Sequence, residues 1–154
     1  MHRNASRRLL PACLAVATLL ATGSVALAQS APATSSKIKV GFMLPYTGTY
    51  AALGGAIENG FRMYVQEQGG KLGGREVEYF KVDDESDPAK APENATKLIK
   101  RDQVDVVVGT VHSGVQMGIV KVAKENNTLL IIPNAGVDED TGPLCGANIF
   151  PSSF

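Results

Sequence analysis

Val104-Asp105-Val106-Val107-Val108-Gly109-Thr110-Val111-His112-Ser113-Gly114 begins as a valine run. It turns at Gly109 into small and polar residues, and a helical pattern follows from about Gly114. A short β-branched run closed by glycine reads as a buried strand. A strand that feeds directly into a helix leaves the helix's first backbone N–H groups at the carboxyl edge of the sheet, and that edge is a ready anion site. Ser113 and the amides around it are therefore the candidate holders of a carboxylate on a small solute.

The flanking sequence supplies the rest of a sheet. Residues 37–44 (KIKVGFML) alternate, with Ile38, Val40 and Phe42 on one face of a first strand that Pro45 ends. Leu53, Ile57, Phe61 and Val65, with Tyr64 at the core edge, mark the inner face of a helix over 51–68, which Gly69-Gly70 stops. Gly54, Gly55 and Gly60 each cost that helix about 1 kcal/mol relative to alanine and are expected to let it lie close to the sheet or a loop. Residues 71–74 read as a turn and 75–82 as a second strand. Asp87 then caps a helix with Pro88 in its first position, running to about Arg101, in which Pro92 is tolerable only near the first turn. Residues 104–108 form the third strand. A helix follows over 115–125, with Met117, Ile119, Val120, Val122 and Ala123 inward, and then a fourth strand over 128–132. An irregular piece, 134–148, precedes the short segment 149–150. Apolar strands alternating with amphipathic helices predict an α/β fold, an open, parallel, Rossmann-like sheet flanked by helices.

Ligands of such sheets bind beyond the carboxyl ends of the strands. The loops there, 45–50, 109–114 and 133–137, carry Tyr46, Thr47, Tyr50, Thr110, His112, Ser113 and Asn134. Hydroxyls, an amide and free N–H groups suit a small polar ligand bearing a carboxylate. Tyr46 and Tyr50, on either side of Gly48, either touch solute or cover the edge of the core. No catalytic residue, metal or cofactor is assigned. There is no G-x-x-x-x-G-K-[ST] loop, and the glycine pairs at 69–70 and 73–74 lie on the wrong side of the strands for a dinucleotide fingerprint. His112 has no cluster of Cys or carboxylate partners, and Ser113 sits in no G-x-S-x-G elbow. Asp83-Asp84-Glu85 reads either as an acidic metal or phospho-acceptor pocket or as a solvated strand end, and the capping signal at Asp87-Pro88 favours the second.

Composition limits the partners. The 154 residues amount to one domain at most, and 44% hydrophobic against 19% charged residues describes a globular chain. Arg3, Arg7 and Arg8 precede an apolar run that ends in Ala26-Leu27-Ala28, the pattern of a secretory signal peptide over 1–28, followed by a flexible leader over 29–36. Loss of those three arginines leaves twelve basic and fifteen acidic side chains, a net charge near −3 without a basic patch, so nucleic acid is not an expected partner. Cys145 is then the lone cysteine, which is no disulfide scaffold.

Taken together, residues 39–48 (KVGFMLPYTG), Gly60, residues 82–88 (VDDESDP), Val107-Val108-Gly109, residues 133–136 (PNAG) and Asn148-Ile149-Phe150 are collinear with the amino-terminal lobe of leucine/isoleucine/valine-type substrate-binding proteins of ABC importers. The chain resembles that family over 37–150, with 151–154 as the start of a hinge into a missing second lobe. The resemblance implies a type I periplasmic binding fold, two lobes that close on a solute in the periplasm and dock on an ABC permease, and no catalysis. It places the solute carboxylate at His112-Ser113-Gly114 and the ammonium near Asn134, Ala135 and Gly136. It also puts Gly136 where branched-chain binders carry a hydroxyl, and Leu53 where they carry an aromatic. Those two departures leave open an aromatic acid, such as a benzoate, in place of a branched-chain amino acid. A truncated lobe is expected to bind solute weakly or not at all by itself. The alternatives are an exported ligand-sensing module for aromatic or aliphatic carboxylates, and an α/β enzyme of flavodoxin or phospho-acceptor type.

Overall fold

The computed structural model describes residues 36–152, so the expected signal peptide and all but the last residue of the leader lie outside the described residues. In chain order the elements are β1 (Ile38–Leu44), α1 (Ala51–Glu67), β2 (Lys71–Leu72), β3 (Arg75–Asp83), α2 (Ala91–Thr96), β4 (Val106–Val108), α3 (Ser113–Glu125), β5 (Leu129–Ile132) and β6 (Ile149–Pro151). The Asp87 carboxylate accepts the Ala89 N–H at 2.9 Å, and a 3-10 turn at Pro88–Lys90 leads into α2. Pro92 thereby falls in the first turn of α2, where its missing N–H has no helical partner to lose. A π turn at Lys97–Arg101 completes that segment.

The strands lie in the order β2-β3-β1-β4-β5-β6. All neighbours pair in parallel except β2, which is antiparallel to β3. Two of these strands exceed the four expected. Gly73 and Gly74, with φ of 55° and 79°, close a tight hairpin that turns the expected 71–74 turn into a β2–β3 pair. Ile149, Phe150 and Pro151 pair with Leu130, Ile131 and Ile132, so the short segment after the irregular piece is the outer strand.

Each face of the sheet has its own core. Met43, Val107, Leu130 and Ile132 pack against α2, the π turn after it and α3 through Ala95, Leu98, Val115, Ile119 and Val120. On the opposite face Val40, Phe42, Leu44, Val106 and Val108 meet Ile57 and Phe61 of α1. The Phe42 ring lies edge-on to Phe61 at 5.4 Å and stacked on Tyr79 at 5.7 Å. Over β5 and β6 this second face is open: Leu129, Ile131, Phe150, Pro151 and Ser152 line a shallow apolar groove of about 350 Å³.

Ile57, Phe61 and Val65 of α1 and Ile119, Val120, Val122 and Ala123 of α3 face inward as expected, and the departures are at single positions. In α1 the buried residues are Gly54, Glu58 and Val65, while Leu53 is 45% and Tyr64 55% exposed. The cause is Gly54, whose added Cβ would lie 1.9 Å from the Pro45 carbonyl oxygen, so the helix can approach the loop only on that side. Gly55 and Gly60 meet nothing within 4 Å and permit no such contact. In α3, Met117 points outward and is 40% exposed, whereas Val115 and Ile119 are fully buried. Gly109 repeats the Gly54 device at the end of β4: its Cβ would stand 2.0 Å from the Met43 carbonyl oxygen.

Urea unfolding tests both kinds of glycine. Gly109→Ala is expected to lower stability by about 1–3 kcal/mol or more through overpacking against backbone. Gly60→Ala, at an exposed helical site, is expected to raise it by up to about 1 kcal/mol.

Candidate functional site

The sheet order reverses at β1, which lies between β3 and β4. Parallel strands that leave in opposite directions open a crevice beyond their carboxyl ends. The loop after β1 and the loop from β4 into α3 form its walls.

Two adjacent carboxylates build those walls. Asp83 ends β3 and Asp84 follows it, and successive side chains along an extended chain point to opposite faces. Asp83 turns to the loop after β1. Its carboxylate accepts the Tyr46 N–H at 2.9 Å, the Thr47 N–H at 3.4 Å and the Thr47 hydroxyl at 2.7 Å, and it also accepts the Glu85 N–H at 2.9 Å. Asp84 turns the other way, is fully buried, and accepts the Ser86 N–H at 2.8 Å together with the Thr110 hydroxyl. The expected solvated strand end is thus half correct. Asp87 does cap, but Asp84 is sealed in the interior and Asp83 is occupied with the loop. Neither carboxylate is free, and among the described residues no three His, Cys, Asp or Glu side chains converge on a metal position. Thr47 and Thr110, which the sequence offers as solute-facing hydroxyls, donate to Asp83 and Asp84 instead.

The remaining expected site residues divide into two groups. Tyr46 leaves the crevice. Its ring packs beside the α1-facing core and carries Lys81 Nζ 3.8 Å from its centroid. The Tyr46 hydroxyl is directed at Glu58 without meeting strict hydrogen-bond geometry. Burial first, and then the Glu58 carboxylate, push the ionisation of this phenol upward. Tyr50, Leu53, His112, Ser113, Gly114, Asn134, Ala135 and Gly136 stay at the strand-end edge. The Tyr50 and His112 rings lie 6.1 Å apart and tilted by 49°. Leu53 is exposed one turn into α1.

His112 acts as the N-cap of α3: its Nδ1 accepts the Gly114 N–H at 3.0 Å, and its carbonyl accepts the Val115 and Gln116 N–H groups. The amide of Gly114, read as free from the sequence, is therefore taken. Gly114 itself is wedged so that a Cβ would meet Pro88 at 2.7 Å and the imidazole at 2.9 Å. Among the described residues the Ser113 N–H has no partner, which makes it the open donor of the α3 terminus. The Ser113 hydroxyl donates to the Gly136 carbonyl at 3.1 Å, and the buried Ala135 donates its N–H to the Thr110 carbonyl at 3.1 Å. The loops after β4 and β5 are thereby joined, as their placement in the sequence anticipates. Asn134 is exposed beside them.

A charged cluster under α1 escaped the sequence reading. Glu58 is 6% exposed and receives Lys81 at 2.7 Å and Arg62 at 2.8 Å, while Arg62 lies 3.9 Å over the Tyr79 ring. Burial alone would raise the Glu58 carboxyl, but hydrogen bonds from Lys81 and Arg62, with the Tyr46 hydroxyl directed at it, outweigh burial and hold the group below the usual carboxylate range. The available signal was the i,i+4 spacing of Glu58 and Arg62 on a face that otherwise reads as apolar.

The strand-end edge of this α/β lobe thus presents a few donors and two rings. The chain belongs to the periplasmic binding protein family, whose model matches residues 37–154. It is 36% identical over 121 residues to BraC3, a Leu/Ile/Val-binding protein of Rhizobium johnstonii, an alignment covering 77% of this chain and 32% of that protein. It is similar to a solved ABC-transporter solute-binding protein of R. palustris in complex with benzoate, with 55% identity and a TM-score of 0.76 over 77% of this chain and 33% of that one. LivJ of Streptococcus pneumoniae, solved with isoleucine, matches at 30% identity and a TM-score of 0.70 over 77% and 34%. The chain thus spans about a third of the length of these relatives. The family and these relatives are binding proteins.

Acid should loosen the site in a defined direction. The folded pKa values of Glu58 and Asp83 are both lowered, Asp83 because hydrogen bonds from Thr47, Tyr46 and Glu85 overcome its desolvation. The stability that they contribute is present above the unfolded carboxylate pKa, about 4, and is lost as pH falls through the lower folded values. Urea midpoints measured from pH 7 to pH 2.5 should fall in that acid window, and Glu58→Gln should flatten part of the fall.

Proposed function

We propose that this chain is the solute-capturing first lobe of the binding component of an ABC importer, and that its solute is a small aromatic carboxylate. The observation that carries the reading is the Tyr50–His112 ring pair beside Ser113 at the reversal point of the sheet. Two rings at that spacing suit a flat apolar body, and Ser113 suits an anionic end. The Ser113 hydroxyl would exchange its neutral bond to the Gly136 carbonyl for a charge-assisted bond to carboxylate, with the Ser113 N–H as second donor. The 55% identity to the benzoate-bound protein, against 30% to the isoleucine-bound one, supports the same choice.

The wider reading follows the family. The protein is exported to the periplasm, closes on its solute with a second lobe, delivers it to a permease and catalyses nothing. Leu53 and Asn134 would face the solute, with Gly114, Ala135 and Gly136 shaping the backbone around it.

Chemical-shift titration of the ¹⁵N-labelled chain reads binding residue by residue. Benzoate should shift the amides of Tyr50, Ser113 and Gly136 saturably, and leucine should do so less. Ser113→Ala should weaken benzoate binding about tenfold or more, the worth of a hydrogen bond to a charged group. Stronger shifts with leucine, or benzoate shifts confined to other elements, would reject the aromatic reading.

A further inference from the structure

We propose that Asp84 and Thr110 are positioning residues for solute capture: the buried Asp84 carboxylate, by holding the Thr110 hydroxyl, fixes where Ser113 stands relative to Ala135 and Gly136. The inference rests on the carboxylate site proposed above and names what sets its geometry.

Three observations carry it. First, the tie joins strands that are not neighbours. Asp84 follows β3, Thr110 follows β4, and β1 runs between them, so the contact bridges the end of β1 at the reversal point. The Asp84 N–H also donates to the Leu44 carbonyl at 3.2 Å, which pins the end of β1 beneath the bridge. Secondly, the tie continues to the site. The Thr110 carbonyl accepts the Ala135 N–H at 3.1 Å, and the Gly136 carbonyl accepts the Ser113 hydroxyl at 3.1 Å. Three hydrogen bonds and one peptide link thus lead from Asp84 to the Ser113 hydroxyl. Thirdly, the tie is poorly suited to stability alone. Asp84 and Thr110 are both 0% exposed, and among the described residues no lysine or arginine pairs with Asp84. A carboxylate buried against neutral donors is costly beside an apolar pair of similar size. What it supplies is direction, because a hydroxyl–carboxylate bond fixes angle and distance where methyl packing does not.

Thr110→Val removes the hydroxyl at nearly constant shape, Thr110→Ser keeps it, and Asp84→Asn keeps the shape while removing the charge. Each ¹⁵N-labelled variant is compared with the wild-type chain for its ligand-free spectrum, its urea midpoint and its benzoate titration. Thr110→Val should move the amides of Ser113, Ala135 and Gly136 in the ligand-free spectrum, leave the β2–β3 hairpin unmoved, and weaken benzoate about tenfold. Thr110→Ser should restore affinity to within about threefold. A Thr110→Val chain with a lowered urea midpoint but unmoved site amides and unchanged benzoate affinity would reduce the tie to a structural role and overturn the proposal. If Thr110→Val does not fold, Asp84→Asn takes its place: moved site amides with weakened benzoate support the proposal, and unmoved amides with unchanged affinity overturn it. Should the wild-type chain itself show no benzoate response at Ser113, the functional reading fails, while the ligand-free spectra still decide whether Asp84 and Thr110 place the loop.

Discussion

The crevice depends on where two consecutive carboxylates point. Strand alternation sends Asp83 to one side of β3 and Asp84 to the other, and between them they collect two threonine hydroxyls and the backbone N–H groups of Tyr46, Thr47, Glu85 and Ser86. Loops at the open edge of a parallel sheet have no ladder partners of their own, so their backbone donors must be met by side chains or water. Here one strand end meets most of that demand. Close backbone packing at Gly54 and Gly109 then leaves the loops little room to shift. The edge is consequently closely packed where it is built and sparse in what it presents.

That sparseness bears on recognition. Thr47 and Thr110 spend their hydroxyls on Asp83 and Asp84, His112 spends one ring nitrogen on the helix cap, and Tyr46 sinks toward Glu58. What remains at the edge is two rings, one exposed leucine, one serine, the Asn134 amide and backbone. Few polar groups mean few demands on a ligand, and a site of that kind discriminates by the shape of the apolar part as much as by the charge.

Much of the fold was legible because it rests on local chemistry. The valine run, the Asp87-Pro88 cap and the strand-ending prolines behave as their side chains dictate, and the loops after β4 and β5 do meet. The errors share one cause, which is contact between distant residues. Nothing near Leu53 or Tyr64 reveals that Gly54 must face Pro45, yet that contact sets the rotation of α1 and brings Glu58 inward. Met117 fits an inward pattern until α3 is docked on α2. β6 is three residues long and becomes a strand only because β5 lies beside it. The acidic tripeptide carried the same ambiguity, since its composition cannot say that one member would be buried and matched to a threonine 26 positions away.

The helix cap at His112 also settles where a ring stands. The Nδ1 that accepts the Gly114 N–H is committed to the backbone, so the orientation of the imidazole is tied to the first turn of α3. The same bond therefore sets both the start of the helix and the place of the ring beside Tyr50.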